Sequence, residues 1–284
     1  MGAPWDGDVH ILLAGWGKMG SALLDGWLDR GVPPGKITVV EPNAEARVEL
    51  AKRHGVDALP SPGGLDPGFH PGVVVFAVNP QAMDAVAPAY AHFSASRAVF
   101  LSIAAGKTLD YFKGYLGSNA AIVRSMPNMP AAVRRGITVA CPNGLVTQTQ
   151  RGLCQGLLEA VGDVAWIEDE ALMDPVTALS GSGPAYVFFL AECMAQGGVK
   201  AGLPEDLAAR LAQVTVSGAG ELLRLAEQAP SRLRKNVTSP GGTTAAALAV
   251  LMGDPGLESL MTEAIIAATR RSRELAKWPR ESNE

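Results

Sequence analysis

The chain has 284 residues, with 28 acidic and 24 basic side chains for a formal net charge of −4. It is 48% hydrophobic and only 18% charged, which predicts much buried surface, an oligomer interface included. Without a long basic run, nucleic acid is excluded as an expected partner. The longest apolar stretches, such as Ala185–Ala191 (AYVFFLA), are far too short to span a bilayer, so no membrane segment is expected. The opening MGAPWDGD has no basic-then-apolar signal pattern, and Asp6 stands where a myristoylation motif requires Ser or Thr. Cys141, Cys154 and Cys193 are odd in number and lack metal-ligand spacing, which predicts reduced, mostly buried thiols in a cytoplasmic protein and no metal site.

In chain order, His10–Gly15 (HILLAG), Lys36–Glu41 (KITVVE), Gly72–Val78 (GVVVFAV), Ala98–Ala104 (AVFLSIA) and Ala120–Met126 (AAIVRSM) read as strands. They are continuous apolar runs, as expected for strands covered on both faces. Ser21–Asp29 and Ala44–His54 read as helices between them, giving the βαβ rhythm of a doubly wound parallel sheet. Ile137–Cys141 and Val164–Glu168 read as later strands of the same sheet. After about Asp169 the strand-like runs stop. One helix opens at Pro184 and runs to about Val199, and another opens at Pro204 and runs to about Glu227. A last helix spans about Gly256 to Lys277, with Leu257, Leu260, Met261, Ala264, Ile265 and Ala268 at helical spacing. The tail Trp278–Glu284 reads as disordered. The expected fold class is α/β, with an N-terminal Rossmann-type doubly wound sheet over residues 1–168 and an all-α C-terminal domain over 169–284.

The turn Gly15, Trp16, Gly17, Lys18, Met19, Gly20 (GWGKMG) follows the first strand and opens the first helix, where a dinucleotide fingerprint belongs. Gly15 permits the tight turn, Gly17 lets the backbone approach a pyrophosphate, and Gly20 lets helix and strand pack closely. The helix N-terminus then offers N–H groups and a positive dipole end to the phosphates. A glycine-rich turn that merely packs is the alternative. Glu41 ends the second strand 21 residues after Gly20, where an acid accepts from ribose hydroxyls. Asn43 is counted with it. No base stands closer than Arg47, which favours NADH, although a solvated strand end has the same pattern. Ala77, Val78, Asn79, Pro80 and the Ala104–Gly106 turn fall at strand carboxyl ends, positioned to line the cofactor cleft or to be ordinary loops.

The four histidines, His10, His54, His70 and His92, all lie in the first half, none at a strand's carboxyl end, and the helical half has only Lys200, Lys235 and Lys277 as lysines. Hydride transfer to or from an alcohol needs a proton acceptor or donor, usually His or Lys. Lys200 is the one candidate, and a lysine there more often complements a helix dipole. A substrate that needs no such group is a protonated imine. A carboxylate would suit Asn236–Leu251 (NVTSPGGTTAAALAVL), where Gly241 and Gly242 bring backbone N–H groups to a helix start and Ser239, Thr243 and Thr244 add hydroxyls. A plain helix cap, with Thr at the N-cap, fits the pattern better. Two glycines before two threonines exceed what a cap needs.

The segments GWGKMGSALLDG, RSMPNMPAAVRRGITVACPN, TALSGSGPAYVFFLAE and KNVTSPGGTTAAALAVL, in this order and spacing, resemble pyrroline-5-carboxylate reductase from about His10 to Lys277. The resemblance implies reduction of 1-pyrroline-5-carboxylate to L-proline by NADPH or NADH, and a homodimer or a larger ring of dimers interlocked through the helical domain. It implies that Thr244 is the catalytic residue, hydrogen-bonding the ring nitrogen, and that Ser239 and Gly241 to Thr244 hold the substrate carboxylate. Gly15 to Gly20, Ala77 to Pro80 and Asn128 would contact the cofactor. The chain departs from the family at Asn79, usually Lys, at Met129, usually Thr, and at Glu41 and Pro42, where the family often has residues suited to a 2′-phosphate. Rival readings are an imine reductase on another substrate, a β-hydroxyacid dehydrogenase using Lys200, and a non-catalytic dinucleotide-binding regulator.

Overall fold

The structure, a computed structural model, describes residues 9–276. The N-terminal targeting reading, the final residue of the last predicted helix and the tail fall outside the described residues. Eight strands form one sheet: β1 (Ile11–Ala14), β2 (Ile37–Val40), β3 (Asp57–Leu59), β4 (Val73–Phe76), β5 (Val99–Ser102), β6 (Ala121–Met126), β7 (Gly136–Pro142) and β8 (Gly162–Trp166). Their spatial order is β3-β2-β1-β4-β5-β6-β7-β8, parallel throughout except for β6 against β7. The order reverses direction at β1 and β4, the switch point of a doubly wound sheet.

β1, β2, β4 and β5 are buried at every position because alternate side chains enter opposite layers. Leu12, Val74, Phe76 and Phe100 pack on one side with Tyr90 and Phe112. Ile11, Leu13, Val73, Val75 and Leu101 pack on the other with Leu23, Leu24, Trp27 and Leu157. With both layers apolar, the strands carry no polar alternation, as the sequence predicts. The helices of this part are α1 (Lys18–Asp29), α2 (Ala44–His54), α3 (Met83–Val86), α4 (Leu109–Leu116), α5 (Gln148–Glu159) and α6 (Met173–Val176). α2 has the predicted limits. The Asn43 side chain accepts the Ala46 N–H at 2.9 Å, and Gly55 ends the helix at φ +66°.

Three features differ from the expected ones. α1 begins at Lys18 rather than Ser21, so Gly20 lies inside its first turn. β3 was not foreseen: it is a three-residue edge strand paired only with β2 and without an apolar run. β7 runs antiparallel to β6, since the short connection between them leaves no room for the crossover a parallel pair requires. β8 starts at Gly162, where a Cβ would sit 1.9 Å from the Gly136 carbonyl oxygen, so only glycine fits there.

The chain forms two compact units. Among the described residues, one comprises 9–181 with 269–276; the other is Ser182–Ala268. The first unit retains the early helical residues because Glu170 accepts from Arg124 of β6 at 2.7 Å and from the Leu109 N–H at 2.8 Å. A π-helical turn, Thr177–Gly181, ends this stretch. The second unit is helical: α7 (Gly183–Lys200), α8 (Glu205–Leu225), α9 (Pro230–Asn236), α10 (Thr243–Leu251) and most of α11 (Leu257–Ala276). Pro184 stands in the first turn of α7, as read, whereas Pro204 is the N-cap of α8. α7 and α8 approach closely at Gly198, where a Cβ would meet the Ala208 Cβ at 3.2 Å. Among the described residues, the only buried hydrophobic side chains of this unit are Ala208 and Ala212.

Candidate active site

The glycine turn is assembled from β1, α1 and the end of β4. Gly15 has φ +92°, a conformation that L side chains rarely adopt, and its N–H donates to Val40 O at 2.9 Å. A Cβ on Gly15 would also lie 2.7 Å from Val78 Cγ1, so Ala77 and Val78 pack directly on the turn. Gly20 is equally constrained: a Cβ there would sit 2.5 Å from Gly15 O. Gly17 is the opposite case, exposed and with nothing within 4 Å of an added Cβ. It is the N-cap of α1 and makes no side-chain cap, so the first-turn N–H groups face no capping oxygen. A tight turn, a bare backbone approach and an uncapped helix start form the cradle that a pyrophosphate needs. The residues therefore fit a dinucleotide. Lys18 is exposed at the first helical position, while Met19 and Trp16 are partly buried against the core.

Glu41 sits just past β2, with both carboxylate oxygens engaged. Oε2 accepts the Trp16 N–H at 3.1 Å and Oε1 accepts the Asn43 N–H at 2.9 Å. Arg47, half-buried on α2, donates from one terminal nitrogen to Glu41 O at 2.8 Å and Pro42 O at 2.6 Å. Asn79 is exposed at the start of a single 3₁₀ turn, Pro80–Ala82. Ala104 is only 4% exposed, so the accessible residue of that turn is Ala105. Asn128 is committed within the first unit: its Oδ1 accepts the Ile137 N–H at 3.0 Å and its Nδ2 donates to Ser180 Oγ at 3.3 Å. The link to Ser180, and with it the π-helical turn, was missed in the sequence; only the run of small residues TALSGSG hinted at it.

The second unit holds Ser239 to Thr244. The expected threonine cap is overturned, because Gly242 is the N-cap of α10 and no side chain caps the helix. Gly241 has φ +69°, and the Gly242 N–H closes a turn onto Ser239 O at 3.1 Å. Ser239, Gly241 and Thr243 are exposed and Thr244 is half-buried. The segment thus presents hydroxyls beside an uncapped helix N-terminus, an arrangement that accepts a carboxylate. Lys200, the candidate of the alcohol-oxidising alternative, is exposed in the last turn of α7, where a cation complements the helix dipole. Among the described residues, no group of His, Cys, Asp and Glu has metal-site geometry.

Buried thiols stand apart from these sites. Burial pushes Cys141 up to about 11 and Cys154 up to about 12. Cys141 and Cys154 are buried and Cys193 is exposed on α7, in line with mostly buried thiols.

Residues 170–275 match the family model described as pyrroline-5-carboxylate reductase dimerisation, and residues 9–106 match one described as NADP oxidoreductase, coenzyme F420-dependent. A pyrroline-5-carboxylate reductase from Pseudomonas aeruginosa is 39% identical, with 94% of this chain and 97% of the relative covered. The structure of a pyrroline-5-carboxylate reductase from Coxiella burnetii superposes with a TM-score of 0.89 at 33% identity, covering 95% of this chain and all of that one. A Plasmodium falciparum pyrroline carboxylate reductase solved with NADP bound gives 0.78 at 28% identity, over 95% and 98% of the two chains. With this agreement over nearly its whole length, the chain belongs to the pyrroline-5-carboxylate reductase family.

Proposed function

We propose that the chain reduces 1-pyrroline-5-carboxylate to L-proline at the expense of NAD(P)H. The observation that carries this reading is the α10 entrance: a helix start capped by glycine, preceded by Gly241 in a left-handed conformation and flanked by Ser239, Thr243 and Thr244. It is built for a small carboxylate in a chain whose other unit bears a dinucleotide cradle. Gly15 to Gly20 hold the pyrophosphate, and Ala77 to Pro80 and Asn128 border the cofactor. The bound cofactor supplies the hydride that reduces the C=N bond. The backbone N–H groups from Gly242 to Thr244, with the Ser239 hydroxyl, fix the substrate carboxylate. The Thr244 hydroxyl hydrogen-bonds the ring nitrogen. An iminium carbon already carries the charge that hydride neutralises, so positioning is the main contribution asked of the protein.

The working form is a homodimer formed through the second unit. Phe188 and Phe189 are 56% and 63% exposed in the single chain, with Val214 at 63% and Val250 at 76%. A helical unit with two buried alanines as its apolar core needs a partner to cover such surface. A ring of dimers is the larger assembly this reading allows. No helix among the described residues is long and apolar enough to cross a membrane, and with its reduced thiols we place the enzyme in the cytoplasm. The test follows loss of reduced-cofactor absorbance with pyrroline-5-carboxylate, other cyclic imines and β-hydroxyacids. Turnover with pyrroline-5-carboxylate and a loss of about 1–3 kcal/mol of transition-state stabilisation in Thr244→Val are expected, about ten- to a hundred-fold in rate. Wild-type kinetics in that variant remove Thr244 from the mechanism, and cofactor binding without turnover on any substrate supports the regulator instead.

A further inference from the structure

The geometry around Glu41 points to a cofactor selectivity that family membership does not specify. We infer that this chain is selective for NADH, with Glu41 as the determinant and Arg47 anchored through NH1 to the backbone at the end of β2. The inference rests on the dinucleotide-dependent reading above.

Two N–H donors from different elements fix the Glu41 carboxylate, Trp16 in the glycine turn and Asn43 at the start of α2. The side chain is therefore not a loose strand-end acid. It is held at the edge of the cradle by the same turn that would bind the pyrophosphate. Each oxygen accepts one of these bonds and keeps acceptor capacity for another, which suits the two hydroxyls of a ribose. A 2′-phosphate brings up to two negative charges and no hydroxyl donor to the same place. Like charges a few ångströms apart repel near a protein surface.

NADP-selective sites offset such repulsion with a nearby arginine. Here that residue is Arg47, and its NH1 group is committed to the Glu41 and Pro42 carbonyls, which fasten α2 to the end of β2. Asn43 is taken up in capping α2, Glu45 adds a negative charge in its first turn, and Asn79 is neutral. His54 lies beneath, its ring edge-on to Trp16 at 6.1 Å and its Nε2 3.4 Å from Asp25.

The test is calorimetric titration of the wild-type protein with NADH and NADPH, without substrate, alongside Glu41→Ser, Glu41→Gln and Arg47→Ala. NADH is expected to bind wild type at least about tenfold more tightly than NADPH. Glu41→Ser and Glu41→Gln should narrow that ratio, Gln being the variant that keeps one acceptor for the turn. Arg47→Ala should change both affinities by the same factor. NADPH bound as tightly as NADH by wild type overturns the inference even if the Glu41 variants do not fold, as does a loss in Arg47→Ala confined to NADPH. Because no substrate is present, the two readings fail separately. Selective NADH binding without pyrroline-5-carboxylate turnover sinks only the proposed function, and turnover with unselective binding sinks only the selectivity.

Discussion

Gly17→Ala and Gly20→Ala, three residues apart in one turn, are expected to separate cofactor binding from folding. At Gly20 the added methyl would lie 2.5 Å from Gly15 O and 3.3 Å from Ala77 Cβ. The first neighbour is backbone in a turn fixed by the φ +92° of Gly15, so neither side can yield cheaply. Forcing an extra methyl into such packing costs about 1–3 kcal/mol. In a chain of this size each kcal/mol lowers the melting temperature by about 2–4 °C. At Gly17 the backbone is φ −77°, ψ −170°, open to any residue, and no atom lies within 4 Å of the new methyl. Alanine restricts the unfolded chain, worth about 0.4–1 kcal/mol, but is a poorer N-cap than glycine. These effects nearly cancel, and Gly17→Ala should melt close to wild type. Its methyl would nonetheless stand where a pyrophosphate approaches the backbone, a steric cost of about 1–3 kcal/mol and so about ten- to a hundred-fold in affinity. Differential scanning fluorimetry reads the first quantity and titration with NADH the second. If Gly17→Ala bound NADH like wild type, or if Gly20→Ala melted unchanged, the division of roles within the turn would be wrong.

Gly241→Ala should weaken the α10 entrance, since φ +69° costs an L residue about 1–2 kcal/mol; KM for pyrroline-5-carboxylate should rise while NADH affinity holds. Glu170→Ala strands Arg124, itself 5% exposed, and the Leu109 N–H, so a loss of about 3–5 kcal/mol in urea unfolding is expected. Cys141 and Cys154 are pushed up to about 11 and about 12 by burial. A raised thiol pKa leaves the unreactive protonated form dominant below it, so both should resist iodoacetamide at pH 8 and label on denaturation, as peptide mass spectrometry would report. Phe188→Asp with Phe189→Asp removes about 1.5–3 kcal/mol of burial per ring from the proposed interface, and light scattering should then find monomers.

The sheet was legible because its physics is written locally. Strands covered on both faces are expected to be apolar, and Ile11–Ala14 and Val73–Phe76 are so throughout, while Val99–Ser102 is so up to its last residue, the buried Ser102. Asp57–Leu59 was illegible for the converse reason: it is a three-residue edge strand whose pairing with β2, not its composition, makes it a strand. The direction of β7 depends on the length of the chain before it, which apolar runs do not register. The hydrogen bonds of Glu41 were hidden in the same way. An acid at a strand end is visible in the sequence, but the donors that orient it come from two turns brought together only by the fold.

The misread cap on α10 teaches the most about the proposed sites. Serine, threonine and asparagine before a helix are rightly read as caps, and here α2, α4 and α5 are capped by Asn43, Thr108 and Thr147, each accepting a backbone N–H. α1 and α10 are different. Gly17 and Gly242 hold their N-cap positions, neither supplies an oxygen, and each follows a glycine with positive φ by one or two residues. A side-chain cap satisfies the first-turn donors internally and removes them from use. A glycine cap leaves them directed outward with no side chain to shield them, a stability cost that an anion can relieve. Thr243 and Thr244 therefore fall one position too late to cap, which leaves their hydroxyls for the ligand role proposed above. The two helices proposed to meet the two acidic partners of the reaction, a pyrophosphate and a carboxylate, thus share a glycine N-cap, whereas α7, α8 and α9, which also lack a side-chain cap, start on Ser182, Pro204 and Ala229.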